Sequence, residues 1–411
     1  MAGASSRLPS DFTDPVAMTE ALIRCPSVTP ADGGALDLVS SALTGLGFEV
    51  ERLDFGGGGR PLIGNLYARL GTARPNLCFA GHTDVVPVGD LTRWTHGPFE
   101  AVTEDGQIFG RGACDMKSAI AAFVAAVARH RQAGAPLPGS ISLLITGDEE
   151  GPSIDGTRAV VGALSARGEE IDHALVGEPT SKDMVGDTIK IGRRGSVTVR
   201  LTVVGVQGHV AYPQDADNPL PVLARLAEGL SAHELDRGLP AFDPSNLEII
   251  DFHVGNDTTN LIPAKGRLTF NVRFNPLWTG EKLIGHLKRV VGELLDRPDR
   301  TLEWDVHISS EPFLTEKGAF TGVVAGAIEA VTGTKPHLST GGGTSDARFL
   351  KTICPVLEAG LVGRTMHQVD ERVAVADIEQ LTQVYQSLIS AYFAKFAQST
   401  GDARGRSNAD G

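Results

Sequence analysis

The period of the hydrophobic positions changes twice along this chain. About residues 14–25 and 35–46 carry apolar residues at helical spacing. Strand-like runs follow at FEVERL, NLYARL and NLCFAGH. Behind GRGACDMK comes an alanine-rich helical stretch, SAIAAFVAAVARHRQ. Two further strand runs, SISLLITGDEE and HALVGEP, both stop at acidic residues. Strands alternating with helices predict an α/β domain, a mixed, largely parallel sheet with helices on both faces. In such sheets ligands sit beyond the carboxyl ends of the strands. Strand ends here carry His82 with Asp84, Glu149 with Glu150, and Glu178.

Near residue 195 the pattern changes. SVTVRLTVVGV alternates with period two, as a half-exposed antiparallel strand does. A helical stretch, PLPVLARLAEGLSAHEL, precedes the strands NLEIIDFHV and GRLTFNVRFN, and then the helix EKLIGHLKRVVGELLD. This order predicts a small α+β two-layer sandwich inserted into the first domain. From about residue 312 the α/β pattern returns, with GVVAGAIEAVTG as a helix, PVLEAG as a strand and a last helix over about 376–397. The expected organisation is a discontinuous catalytic domain, 1–194 with 312–411, and an insert, 195–311. GGGGR at 56–60 reads as a loop, and the polar, Gly-rich tail at 398–411 as disordered.

Charge narrows the function classes. In 411 residues Lys plus Arg number 37 and Asp plus Glu 50, a formal net charge of −13. That balance speaks against a nucleic-acid or anionic-membrane binder. An acidic protein that takes an anionic substrate must gather positive charge locally, as metal ions or clustered arginines. No apolar run reaches the roughly 18 residues of a membrane span. The start, MAGASSRLPSDFTDP, has no apolar stretch to act as a signal peptide. Cys25, Cys78, Cys114 and Cys354 form no CxxC pair, which favours buried thiols over disulfides or a thiolate zinc site. The expected place is a reducing cytoplasm.

The candidate chemistry lies in AGHTDVVP (His82, Asp84), GRGACDMK (Asp115), ITGDEEG (Glu149, Glu150), VGEPT (Glu178) and TMHQVDE (His367). A single strand-end carboxylate is ordinarily a cap or a solvated turn residue. Histidines and carboxylates together, without a thiolate, suit zinc, cobalt or manganese. Two metals about 3.5–4 Å apart need a bridging carboxylate, terminal ligands on each side and a base beside the shared water. Asp115 would bridge, His82 and Glu178 would hold one metal, and Glu150 and His367 the other. Glu149 would be left as the base, and Asp84, two residues from His82, would brace its imidazole.

In their order along the chain these motifs resemble those of the zinc aminoacylase/carboxypeptidase family, over about residues 15–397. IGRRGS, GHVAYP and TGGGTSD resemble more selectively the branch that cleaves an N-succinyl amide from a diamino dicarboxylic acid. The resemblance implies two Zn2+ per subunit, with Co2+ able to substitute, a lid that also forms a homodimer, and a cis peptide at Asp115–Met116. It implies that His209 reaches the partner subunit's site and donates to the oxyanion. Arg193, Arg273 and Arg348, more than Arg194, would bind substrate carboxylates, with Tyr212, Asn260, Gly343, Thr344 and Ser345 as further contacts. Related deacylases and metallo-carboxypeptidases share the metal motifs, and a degenerate, non-enzymatic relative would have a damaged ligand set. One departure stands out: the branch has Asn a few residues before the last metal histidine, where this chain has Gly363 and Arg364. Cys114, beside the bridging Asp, reads as structural.

Overall fold

The computed structural model describes residues 8–405, with 398–405 as backbone alone. Contacts divide the chain into two compact units: Met1–Ile191 with Thr315–Ser339 and Ser345–Gly411, and Gly192–Leu314 with Thr340–Thr344.

The first unit is built on an eight-stranded sheet. Its middle holds Ser140–Thr146, Asn76–His82, His173–Val176 and Val356–Glu358, side by side and parallel. Antiparallel Asn65–Leu70 and Glu49–Arg52 extend one side, and Thr188–Lys190 with His337–Ser339 the other. Asn76–His82 and Ser140–Thr146 are buried along their whole length. That explains why they read as continuous apolar runs and not as alternating strands. Helices flank the sheet on both faces. On one face Phe79 stacks on Phe123 of helix Ser118–Gln132, with ring centroids 4.3 Å apart, and meets Tyr385 of helix Val375–Gly405 edge-on. Helix Thr157–Ala166 packs against Asn65–Leu70 and Ser140–Thr146.

The second unit is a four-stranded antiparallel sheet in the order Asn246–His253, Lys265–Phe274, Gly195–Val204, Leu302–Ser310. Helices Leu220–Ser231 and Gly280–Leu294 share its core. Val197, Val199, Leu201 and Val203 are buried while Arg200 between them is exposed. The period-two pattern is therefore one strand face packing against Leu223, Leu226, Leu283 and Leu287.

Two sequence expectations need correcting, and one feature is new. GGGGR lies in a hairpin in which Phe55–Gly57 pairs with Arg60–Ile63, and Gly57, Gly58 and Gly59, all with positive φ, make the reversal. The last helix does not stop near 397 but runs to Gly405, so the tail expected to be disordered is helical as far as the description goes. Residues 406–411 lie outside the described residues. A three-stranded sheet of Val102–Glu104, Gln107–Phe109 and Arg372–Ala374 was not anticipated.

Candidate metal centre

The neighbour order of the central strands creates the site. His82 ends its strand in register with Thr146, and Ala80 with Val176. The loops that leave those ends carry Asp84, Glu149, Glu150 and Glu178, so sheet pairing alone brings these motifs to one edge. Asp115 arrives from a turn, Ala113–Lys117, that precedes helix Ser118–Gln132. The Asp115–Met116 peptide is cis. Met116 lies against the strand ends. A Cβ on Gly81 would stand 2.4 Å from its Cε, and one on Gly177 2.9 Å. Small residues at both positions let the Asp115 turn approach the sheet.

Asp115 faces a different histidine with each carboxylate oxygen. Its Oδ1 is 3.1 Å from His82 Nε2, and its Oδ2 is 3.2 Å from His367 Nε2. His367 Nε2 is also 2.7 Å from Glu150 Oε1, and His82 Nε2 is 3.9 Å from Glu178 Oε1. One donor atom from each of His82, Asp115 and Glu150 lies within 4.8 Å of the others. A carboxylate spread between two imidazoles, with a further carboxylate on each side, is a donor set that could hold two divalent ions. His82 Nδ1 lies 2.8 Å from Asp84 O, leaving Nε2 for the site. The Asp84 carboxylate accepts N–H bonds from Glu149 and Glu150 at 3.2 and 3.0 Å, and Thr29 donates its hydroxyl to it. Asp84 therefore fixes the loop that carries both glutamates.

Carboxylates outnumber imidazoles here, and the crowding shifts their proton affinities. Burial disfavours the His82 imidazolium, but Asp115, Glu178 and Asp84 outweigh it and hold its pKa well above the ordinary value. Asp115 and Glu150 push His367 up to about 10. Burial raises Asp115, yet hydrogen bonds with His367 and His82 win and lower it. Burial, then the charge of Glu178, raises Glu149 well above its usual range. A cluster that attracts protons this strongly favours cations generally.

The other candidates fall into separate groups. His209, Tyr212 and Asn260 lie together on the second unit: Gly208–His209 pairs with Leu261–Ile262, and Val210 N–H donates to Asn260 O at 3.1 Å. His209 and Tyr212 are exposed, with rings 5.7 Å apart. Arg193, buried, donates to Gly343 O at 3.0 Å, and Thr344 follows in the same unit. Arg273, opposite Ser196 and Asn246 in the sheet, is partly buried. Burial, then neighbouring Arg194, lowers its pKa. Arg194 itself donates to Asn246 Oδ1 at 2.8 Å. Ser345 and Arg348 belong to the first unit. Ser345 Oγ donates to Glu358 at 2.8 Å, while Arg348 stacks on Phe349 and lies 3.8 Å from Asp346.

The sequence model of Peptidase family M20/M25/M40 matches residues 78–391. The chain belongs to peptidase family M20/M25/M40. A protein of Caulobacter sp. strain K31 named succinyl-diaminopimelate desuccinylase is 55% identical over 384 residues, 93% of this chain and 97% of its own length. Its namesake in Rhodospirillum centenum is 54% identical, covering 93% of this chain and 98% of its own. Solved structures share the M20 fold at low identity. Human carnosine dipeptidase 1 aligns with a TM-score of 0.70 at 19% identity, over 94% of this chain and 97% of that one. A dinuclear metal binding peptidase of Bacillus subtilis aligns at 0.68 and 16%, over 93% and 98%.

Within this M20 chain, Arg364, at the position of the departure, turns outward to Asp183 at 2.6 Å. Cys114 is buried with Sγ 3.8 Å from Thr365 Oγ1. Two buried carboxylates escaped the sequence reading. Asp346, beside Arg348, is pushed by burial to about 6. Glu371 accepts the N–H groups of Cys114 and Asp115 and pairs with Arg111. Arg111 and Glu371 stand inside the GRGACDMK and TMHQVDE motifs, and a charge in a run destined for burial was the available signal. Among the described residues no helix is long and apolar enough to cross a membrane.

Proposed function

We propose that this chain hydrolyses N-succinyl-LL-2,6-diaminopimelate to succinate and LL-2,6-diaminopimelate, a step of diaminopimelate and lysine biosynthesis in the cytoplasm. The observation that carries the chemistry is Asp115, with one oxygen toward His82 and the other toward His367. The substrate follows from the relatives more than half identical over nearly the whole chain. In this reading His82 and Glu178 hold one zinc, Glu150 and His367 hold another, and Asp115 serves both, with cobalt able to substitute. When bound, such ions would supply an activated water as nucleophile and polarise the amide carbonyl.

The chain's own residues do the rest. Glu149, whose environment raises its affinity for a proton, takes one from the attacking water and returns it to the leaving amine. Asp84 holds Glu149 in place through its backbone N–H. The substrate carries three carboxylates and one ammonium, so its recognition needs cations. Arg193 and Arg273 of the second unit are assigned to carboxylates. Burial, with Arg194 alongside, works against the Arg273 charge and supports an anion there. Arg348, Ser345, Thr344 and Gly343 are assigned to the remaining polar groups. His209, with Tyr212 and Asn260 beside it, is assigned to the oxyanion of the partner's site in a homodimer.

The test offers zinc-loaded protein N-succinyl-LL-2,6-diaminopimelate and N-acetylornithine in competition. Succinate release should dominate. Glu149→Gln should lose at least about 100-fold in kcat while its metal content stays that of the wild type. Preference for acetylornithine would overturn the substrate, and retention of most of kcat would overturn the base.

A further inference from the structure

We infer that Arg111 and Glu371, which no ligand assignment above uses, form a clamp that sets the distance between Asp115 and His367, and so govern metal uptake. Both side chains are buried: Glu371 is 0% exposed and Arg111 2%. They pair directly, with Arg111 Nη1 donating to Glu371 Oε2 at 2.7 Å. The other oxygen, Oε1, accepts the backbone N–H of Cys114 at 3.0 Å and of Asp115 at 3.2 Å. It therefore holds the turn that presents Asp115.

Arg111 reaches the other ligand segments. Its Nη1 also donates to Gln368 O at 3.1 Å, and its Nη2 to His367 O and Pro87 O, each at 3.4 Å. Pro87 belongs to the loop that leaves His82 and Asp84. One ion pair thus touches the backbone of the His82 loop, the Asp115 turn and the His367 loop. The unanticipated three-stranded sheet reinforces it. Arg372 pairs with Phe109, and Gly110 N–H donates to Glu371 O at 2.8 Å. Asp370 adds a further tie, accepting the N–H and hydroxyl of Thr95 at 2.7 and 2.8 Å. His367 itself has φ 62°, a conformation that its neighbours must impose.

Neither side chain is assigned to metal or substrate, so both are positioning residues. A buried pair with a planar guanidinium fork on one side and a carboxylate engaged through both oxygens on the other fixes geometry better than apolar packing would. Glu371→Gln keeps an oxygen for the two N–H groups but loses the charge. Arg111→Lys keeps the charge but loses the fork.

The inference rests on the metal reading above, and the experiment separates the two. Metal-free wild type, Glu371→Gln and Arg111→Lys are titrated with Zn2+ against a chromophoric chelator, and cobalt-loaded samples are compared by visible absorption. Outer-shell changes of this kind typically weaken metal binding 10–100-fold. A loss in that range is expected for each variant, with an altered cobalt spectrum, a lower kcat and a KM within about threefold of wild type. Excess zinc should recover part of kcat. Folded variants with wild-type zinc affinity and cobalt spectrum would overturn the clamp. Loss of cooperative unfolding in both variants would make the pair a plain core element and overturn it too. A wild type that takes up no zinc would sink the metal reading and the clamp together.

Discussion

At the scale of single residues, the candidate site depends on groups outside the proposed donor set. Asp84 binds Thr29 and the backbone of Glu149 and Glu150 at once. Gly360 supports Glu178 by having no side chain. A Cβ there would stand 2.4 Å from Glu178 O and 2.5 Å from Gly177 O, both backbone atoms that cannot swing aside. Gly360→Ala should therefore move Glu178, lower metal content measured by elemental analysis, and lower kcat more than it changes KM. Wild-type metal content in a folded variant would mean that the loop yields freely. His82, Glu149, Glu150 and Glu178 stood out as candidates because they follow apolar strand runs, where a charge has no packing reason to be. Asp346 and Glu371 were passed over, because each stands in a motif where another residue already had a role, and burial, the one signal they carry, is a property of the fold.

At the scale of elements, strand pairing does the assembly. Asn76–His82 lies between Ser140–Thr146 and His173–Val176, so their ends meet without help from the loops. These strands were legible from their apolar runs. Val102–Glu104, Gln107–Phe109 and Arg372–Ala374 were not, since three residues cannot display a period. In the second unit, the segment after helix Leu220–Ser231 meets helix Gly280–Leu294 through His233 and His286, whose Nε2 atoms are 2.7 Å apart. One must donate and the other accept. Burial, then His233 and Arg289, lowers the His286 pKa, against a smaller opposing pull from Glu293. A base with a depressed folded pKa is charged more readily when unfolded. Its stabilisation is complete above the unfolded pKa of about 6.5 and fades as pH falls through the folded value. Thermal unfolding from about pH 7 down to about pH 5 should show a drop in Tm that is smaller in His286→Gln. Equal slopes would mean that folding leaves the proton affinity of His286 unchanged.

At the scale of the whole molecule, the chain forms two compact units, each with its own core. The first supplies an edge of carboxylates and imidazoles. The second supplies Arg193, Arg194 and Arg273. An acidic chain, net charge −13, that takes a polyanionic substrate needs positive charge gathered locally. The period change near residue 195 was readable because the insert's strands have one wet face. Thr340–Thr344 groups with the insert through the Arg193–Gly343 hydrogen bond and the bond from Thr340 to Ala241, which no local pattern announces. The central claim is that metal held by Asp115 and its neighbours cleaves a succinyl amide. The most direct check is kcat/KM for N-succinyl-LL-2,6-diaminopimelate before chelation, after chelation and after zinc is restored. The account predicts a value near or above about 10⁴ M⁻¹s⁻¹, its loss on chelation and its return with zinc; turnover that survives complete metal removal would contradict it.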